Sequence, residues 1–389
     1  DDNGDFRGFD IVIGNPPYLI VYDKEQKSYY ENKYPVFKRN NDLYVAFIIL
    51  ANNLCDKKSL FSFITPNTFL KGNYFEKLRS YINNEFSINE IVDFGNNLVF
   101  KDANVFCCII NAYKSKFNSN WILKDDNFEV AGEIDADAKD FIYLPPLIKK
   151  LNNLNKIEEY LLVKDVGFNY WSKGRGKKRG DSIGSRVFYS GNKKNANDIE
   201  YIKGKEIDKY KIDKPVNFLV YNWDSKLREN DTFRFSKNIL ETKPKVVYRQ
   251  TSNSIIASLD YNKYYTDKTV HTIVNKEKGS IDLAFITGIL NSKLINHYLQ
   301  TYKQEEGRAF AQIKTVDIKR LPIVFNKEKE NQITKLVDQI LSAKAEDPGV
   351  DTQALEDQID VLVYQLYGLT YAEVRTVDTD FKMSEVEYG

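Results

Sequence analysis

Apolar and polar positions along this chain fall into three successive regimes. Up to about residue 113, short apolar runs alternate with longer amphipathic ones. The runs 11–13, 59–66, 88–95 and 104–113 are rich in β-branched and aromatic residues and read as buried strands. Between them, apolar spacing predicts a helix with Asp42 as N-cap running to Leu54, and an amphipathic helix over 67–83. Strand, helix, strand, helix, strand and strand suit one half of a doubly wound α/β sheet. The acidic stretch 121–140, with seven acids against two lysines, reads as a surface connection. Residues 147–162 read as one helix with Leu151, Leu154 and Ile157 inward. From about Val163 short strands and turns take over (199–207, 216–221, 245–250, 255–257, 269–274), followed by a helix over 281–302. Two helices at the end, 331–345 and 352–367, face each other across Asp347-Pro348-Gly349 as a hairpin.

Composition narrows the class. With 389 residues, 42% of them hydrophobic, the chain has enough apolar material for two or three cores. No run is long enough to span a membrane, and no signal peptide is present. Cys55, Cys107 and Cys108 sit in apolar contexts and read as reduced core residues, which points to a cytoplasmic protein. Two histidines, His271 and His297, leave no room for a histidine-based metal site. Both read as structural, His271 buried and hydrogen-bonded. The chain starts with Asp and its one methionine is Met383, so it reads as a fragment of a longer polypeptide.

The net charge of +1 hides an asymmetry. Residues 161–197 hold nine Lys/Arg against two acids (+7), whereas 341–389 hold three against eleven (−8). A basic middle suits a polyanion, and an acidic tail suits docking on protein.

The densest chemistry lies at the end of the first apolar run. Gly14 allows a sharp turn, Asn15 offers a carbonyl acceptor, Pro16 and Pro17 stiffen the backbone, and Tyr18 presents a flat ring. The Asn15 side-chain oxygen and the Pro16 carbonyl form a rigid pair of acceptors that suits the two hydrogens of an exocyclic amine. Tyr18 suits stacking on a base that has left its duplex. A plain structural turn is the alternative.

Around this tetrad the chain resembles the γ-class adenine-N6 DNA methyltransferases with a TaqI-like target-recognition domain, including the methylase parts of type IIG restriction–modification enzymes. The resemblance rests on Asn15-Pro16-Pro17-Tyr18, Asn41-Asp42-Leu43-Tyr44, Phe63-Ile64-Thr65-Pro66-Asn67, and Val99-Phe100 before Asn104-Val105. It continues through Ile289-Leu290-Asn291-Ser292-Lys293-Leu294, residues 308–313 and Leu321-Pro322-Ile323. It implies the second half of a Rossmann-like methyltransferase sheet, then a mixed α+β recognition domain and a helical hairpin tail. Divisions of 1–125, 126–162 (connector and helix), 163–325 and 326–389 follow. It further implies catalytic roles for Asn15, Pro16, Pro17 and Tyr18, with Tyr18 and Phe100 stacking on the flipped base. Core packing is the other reading of Phe100.

The resemblance also implies S-adenosylmethionine as methyl donor, yet the family's glycine-rich cofactor loop is absent. Residues 174–180 have neither its spacing nor its strand-to-helix context. The fragment is thus expected to need an amino-terminal methyltransferase region, with or without a nuclease, and to be inactive alone. The triplet Glu241-Thr242-Lys243 reads as chance rather than a nuclease motif. The expected partner is double-stranded DNA, met by Lys173, Arg175, Lys177, Lys178, Arg179, Arg186, Arg249, Gln250, Arg308 and Lys314. Solvated loops or surface ion pairs are the bland readings of these cations. Two rival functions stay open: a recognition module without chemistry, and a methyltransferase acting on RNA or on a protein amide.

Overall fold

The structure, a computed structural model, describes residues 6–389 apart from 21, 35, 38–41, 72–74, 96, 101–104, 116–118, 137, 139–140, 173–181, 278–280 and 304–311. It divides into two compact units, residues 1–143 and 144–389.

The first unit is built on one sheet. Its strands are β1 (Phe9–Gly14), β2 (Cys55–Pro66), β3 (Ser87–Asp93), β4 (Cys107–Tyr113), β5 (Trp121–Lys124) and β6 (Val130–Ile134), in the spatial order β1-β2-β4-β3-β5-β6. β1 is parallel to β2, and β4 runs antiparallel between β2 and β3. The carboxyl ends of β1, β2 and β3 therefore share one edge with the start of β4. Helices α1 (Lys24–Lys33), α2 (Tyr44–Leu54) and α3 (Glu76–Glu85) accompany the sheet.

Several elements depart from the sequence expectation. Asp42 does not cap α2: the helix begins at Tyr44, and Asp42 forms a bridge with Ile20. The helix expected over 67–83 is a short 3₁₀ turn (Asn67–Leu70) followed by α3; the buried Arg79 donates to the Phe69 carbonyl at 2.9 Å, holding the two together. The acidic 121–140 stretch is not a surface connection. Its Trp121 is 2% exposed, and β5 and β6 extend the sheet beside β3. The helix expected over 147–162 is split into α4 (Pro146–Asn152), α5 (Ile157–Tyr160) and β7 (Leu161–Lys164), because β7 pairs with a distant strand. The stretch 126–162 is thus divided between the two units.

In the second unit, β7 is followed by strands β8 (Asn169–Ser172), β9 (Phe188–Ser190), β10 (Ile199–Ile202), β11 (Ile207–Asp208), β12 (Lys211–Ile212) and β13 (Asn217–Leu219). β14 (Asp231–Arg234), β15 (Lys245–Arg249), β16 (Ala257–Asp260), β17 (Tyr265–Thr266) and β18 (Val270–Asn275) follow. They form two four-stranded sheets, β16-β15-β18-β7 and β17-β10-β13-β9, and two ribbons, β11-β12 and β14-β8. The helices are α6 (Ile183–Val187), α7 (Lys237–Leu240), α8 (Leu283–Asn291), α9 (Lys293–Lys303), α10 (Thr315–Lys319), α11 (Lys327–Glu346), α12 (Gln353–Leu366), α13 (Tyr371–Val377) and α14 (Glu385–Tyr388). The helix expected over 281–302 breaks at Ser292, whose extended backbone ends α8 and whose hydroxyl accepts the Ile295 N–H of α9.

The α11–α12 hairpin packs on α8, in one apolar core with the β16-β15-β18-β7 sheet. Gly288 permits that approach, because a Cβ there would lie 2.7 Å from Ile333 and 3.2 Å from Val337. Charge also ties the tail down. Lys293 at the start of α9 meets Asp378 at 2.8 Å, and its backbone N–H donates to Asp360 at 2.8 Å.

Burial pushes the Asp360 carboxyl up to about 7, the Lys293 N–H and ammonium opposing the shift. The folded chain therefore binds a proton that the unfolded chain releases near pH 4, so stability falls as pH rises from about 4 to about 7. Asp360→Asn is expected to flatten that slope and to raise stability at pH 8 by roughly 1–3 kcal/mol. Urea unfolding at pH 5 and pH 8 checks this, and an unchanged slope in the variant contradicts it.

Candidate functional site: the carboxyl edge of the first sheet

The site forms where β1 stops. Gly14 stands opposite Phe63 in the register, and a Cβ at Gly14 would lie 3.2 Å from the Phe63 ring. A side chain there would push β1 off β2 just before the tetrad. Asn15 is exposed, Pro16 is buried, and Pro17 and Tyr18 are half-buried. Pro16 thus anchors the turn while the Asn15 side chain stays accessible.

The Tyr18 ring is held from its far end. Its hydroxyl donates to the Ile64 carbonyl of β2 at 3.0 Å, and the Cys107 sulfur lies 4.0 Å from the same oxygen. Burial, then the neighbouring Cys107, pushes the phenol well above its usual range, so it remains a donor at any working pH. Beyond the tetrad, the Leu43 N–H donates to Leu19 at 2.8 Å and Ile20 bridges Asp42. The segment is clamped at both ends.

The ends of β2 and β3 are stitched together beside it. Asn67 Nδ2 donates to Asp93 Oδ1 at 2.9 Å and to the Gly95 carbonyl at 3.1 Å, and the Gly95 N–H returns to Asp93 at 3.0 Å. The Asn67 backbone N–H bonds the Phe106 carbonyl, and the Phe94 N–H bonds that of Cys107. Burial pushes the Asp93 carboxyl up, while the bonds from Asn67 and Gly95 hold it down. Sequence reasoning missed Asp93; a lone acid between Val92 and Phe94 at a strand end was the available signal. Phe100 lies in the loop that leaves this edge after β3, half-buried, with no aromatic neighbour among the described residues. Leu98 and Val99 before it are exposed.

The candidate DNA contacts have separate fates. Lys173, Arg175, Lys177, Lys178, Arg179 and Arg308 lie outside the described residues. Arg186 is not presented to solvent alone: it pairs with Asp231, whose carboxylate has no exposure and is held well below its usual range despite burial, by Ser172 and Arg186. Arg249 is likewise engaged, with Asp208 at 2.7 Å and with the Ile207 carbonyl. Gln250 is half-buried, and its carbonyl accepts the Ile313 N–H at 2.7 Å, which brings the exposed Lys314 beside it at the end of β15. A pairing that sequence reasoning did not foresee is Arg234 stacked over the Trp171 ring at 5.2 Å across the β14–β8 ribbon. His271 is buried, as expected, but neither ring nitrogen has a hydrogen-bond partner among the described residues. Its nearest charge is Asp165 at 3.9 Å, and burial pushes its pKa down. Among the described residues, no helix is long and apolar enough to cross a membrane.

Residues 2–100 match the family described as Eco57I restriction-modification methylase, and residues 199–323 match the TaqI-like C-terminal specificity domain. RM.MjaORFECS2P of Methanocaldococcus jannaschii is 24% identical, over 93% of this chain and 31% of its own length. The Type II methyltransferase M.BstVI of Geobacillus stearothermophilus is 28% identical, over 43% of this chain and 29% of its own. The chain spans about a third of the length of these curated relatives. A solved structure of the Type IIL restriction-modification enzyme MmeI in complex with DNA has the same fold, with a TM-score of 0.55 at 13% identity, over 97% of this chain and 55% of that one.

Proposed function

From a chain that joins an Eco57I-type restriction–modification methylase segment to a TaqI-like specificity domain, we propose that it supplies the target-gripping part of a sequence-specific DNA adenine-N6 methyltransferase. In this reading Asn15 Oδ1 and the Pro16 carbonyl accept the two amino hydrogens of an extruded adenine. The lone pair of the nitrogen is then directed outward, and the acceptors need no rearrangement as positive charge develops on it. Tyr18 and Phe100 stack on the base. The observation that carries the reading is the arrangement at β1: an exposed Asn15 between a closely packed Gly14 and a buried Pro16, beside a Tyr18 tied to Ile64.

The methyl donor of such a reaction is S-adenosylmethionine, and the described residues do not fit it. No glycine-rich turn joins a strand to a helix among them, and β1, next to which a cofactor-binding half would stand, is an edge strand. Its apolar face is bare: Phe9, Ile11 and Ile13 are 54%, 60% and 76% exposed. A strand this apolar belongs in a sheet's interior. The proposal therefore gives the donor site, and the cover over β1, to chain beyond this sequence, and assigns no residue here to the donor. The setting is the cytoplasm and the partner is double-stranded DNA, with Gln250 and Lys314 among its contacts.

In a gel-shift series at 50 and 200 mM salt, the chain is expected to prefer duplex DNA over RNA of the same sequence and to bind more weakly at the higher salt. Equal or tighter binding of RNA contradicts the DNA reading.

A further inference from the structure

A cavity of about 500 Å³ opens in the second unit between β8, α6, β9 and the turn at 267–268, and none of the roles assigned above uses it. Its volume falls in the range of small-ligand sites. The wall is firm, because Phe168 behind it packs on Phe188, Tyr201 and Tyr265 in a buried aromatic core.

Three polar groups line the cavity with hydrogen-bonding capacity to spare. Asp267 Oδ1 accepts the Thr269 N–H at 2.8 Å and the Thr269 hydroxyl, and its second oxygen has no hydrogen bond among the described residues. Nor have the hydroxyls of Tyr170 and Tyr201. Tyr170, Tyr201 and Asp267 line the one cavity, Tyr201 4% and Tyr170 42% exposed, and burial first, then the Asp267 charge, pushes both phenols up. At the rim, Lys203 lies 5.5 Å from the Tyr201 ring centre and Lys268 is exposed; neither is ion-paired among the described residues.

Acceptor beside donors, aromatic walls and two cations at the mouth match a nucleotide. We propose that this cavity takes one amino-bearing base of a DNA strand, cytosine or adenine, with Asp267 accepting its exocyclic N–H, Tyr170 and Tyr201 donating to its ring acceptors, and Lys203 and Lys268 meeting the adjoining phosphate. Thymine has no amino group and would set a carbonyl against the carboxylate. Guanine's amino group is flanked by a ring N–H on one side and a ring acceptor on the other, and base selection separates it from cytosine and adenine, in which the one ring nitrogen beside the amine is an acceptor. Asp267 is then a specificity-determining residue of the recognition domain, an inference that rests on the DNA reading above.

The test is selection from a randomised duplex pool by the wild-type chain, Asp267→Asn and Tyr201→Phe, with free dCMP and dAMP as competitors. Asp267→Asn keeps the oxygen that holds Thr269 and turns the other into a donor; Tyr201→Phe removes one hydroxyl and checks the cavity without touching the turn. The expected result is one position where the wild type selects cytosine or adenine and where both variants lose about 10-fold or more in discrimination, the remaining positions unchanged. Unchanged preferences in both variants overturn the inference and leave the DNA reading standing. A wild type without any sequence preference contradicts the DNA reading and takes the inference with it. Free nucleotide bound in an Asp267-dependent way, with DNA preferences unaltered, assigns the cavity to a soluble nucleotide and also overturns it.

Discussion

Asn15→Ala, assayed together with the proposed donor-binding region, is expected to lower the proposed DNA methylation by roughly 100- to 1000-fold while duplex binding stays within about a factor of 2. Only one of the two acceptors on the amine is lost, and that acceptor is most valuable when charge appears on the nitrogen. Asn15 is exposed and makes no hydrogen bond among the described residues, so the truncation has little structural cost. Asn15→Asp keeps an oxygen in place and is expected to retain more activity than the alanine variant. Radiolabelled methyl incorporation into duplex DNA, with a gel shift as the binding control, checks both. Methylation intact in Asn15→Ala would mean that the tetrad is only a turn.

The largest stability effect is expected in the second unit, at Lys245. Its ammonium and the Asp260 carboxylate are both wholly buried and paired, at the start of β15 and the end of β16. The same ammonium donates to the Leu240 carbonyl at 2.6 Å, and Asp260 accepts the N–H groups of Asn262 and Tyr264 at 2.7 and 2.8 Å. The pair therefore joins the end of α7 to the turn before β17. Desolvation pushes the lysine down and Asp260 pulls it back, which is the balance of a charge kept inside only by its partner. Lys245→Ala leaves the carboxylate buried and unpaired, with an expected loss of about 3–5 kcal/mol. Lys245→Met with Asp260→Asn removes both charges and is expected to recover much of that loss. Urea unfolding of the second unit's signal measures the difference; a loss under about 1 kcal/mol from Lys245→Ala would show that water reaches the pair.

What was legible in the sequence and what was not divide along the range of the interactions. That a strand ends at the tetrad could be read because a β-branched run, a glycine and two prolines are adjacent in the chain. The family resemblance and the class of fold followed from motifs in order. The sheet's order did not, since placing β4 antiparallel between β2 and β3 depends on pairings of residues far apart, such as Phe63 with Ile110. The strands at 121–134 were hidden by their acids, which sit on the turn at 125–126 and on the outward face while Trp121 and Leu123 are buried. The acids that pair with Arg186 and Arg249 could not be picked out because Asp231 and Asp208 lie 45 and 41 residues away. Asp93 gave almost no signal for the same reason: its meaning comes from Asn67, across two strands. The break at Ser292 was masked by apolar spacing that continues on both sides of it.

The central claim is that the acceptor pair at the end of β1 grips an adenine amine. Its most direct test is nucleoside analysis, by chromatography and mass, of duplex DNA incubated with this chain, the proposed donor-binding region and S-adenosylmethionine, then digested to monomers. N6-methyladenine, lost in Asn15→Ala, is the expected product; methyl groups found on cytosine, or on no base at all, would contradict the account.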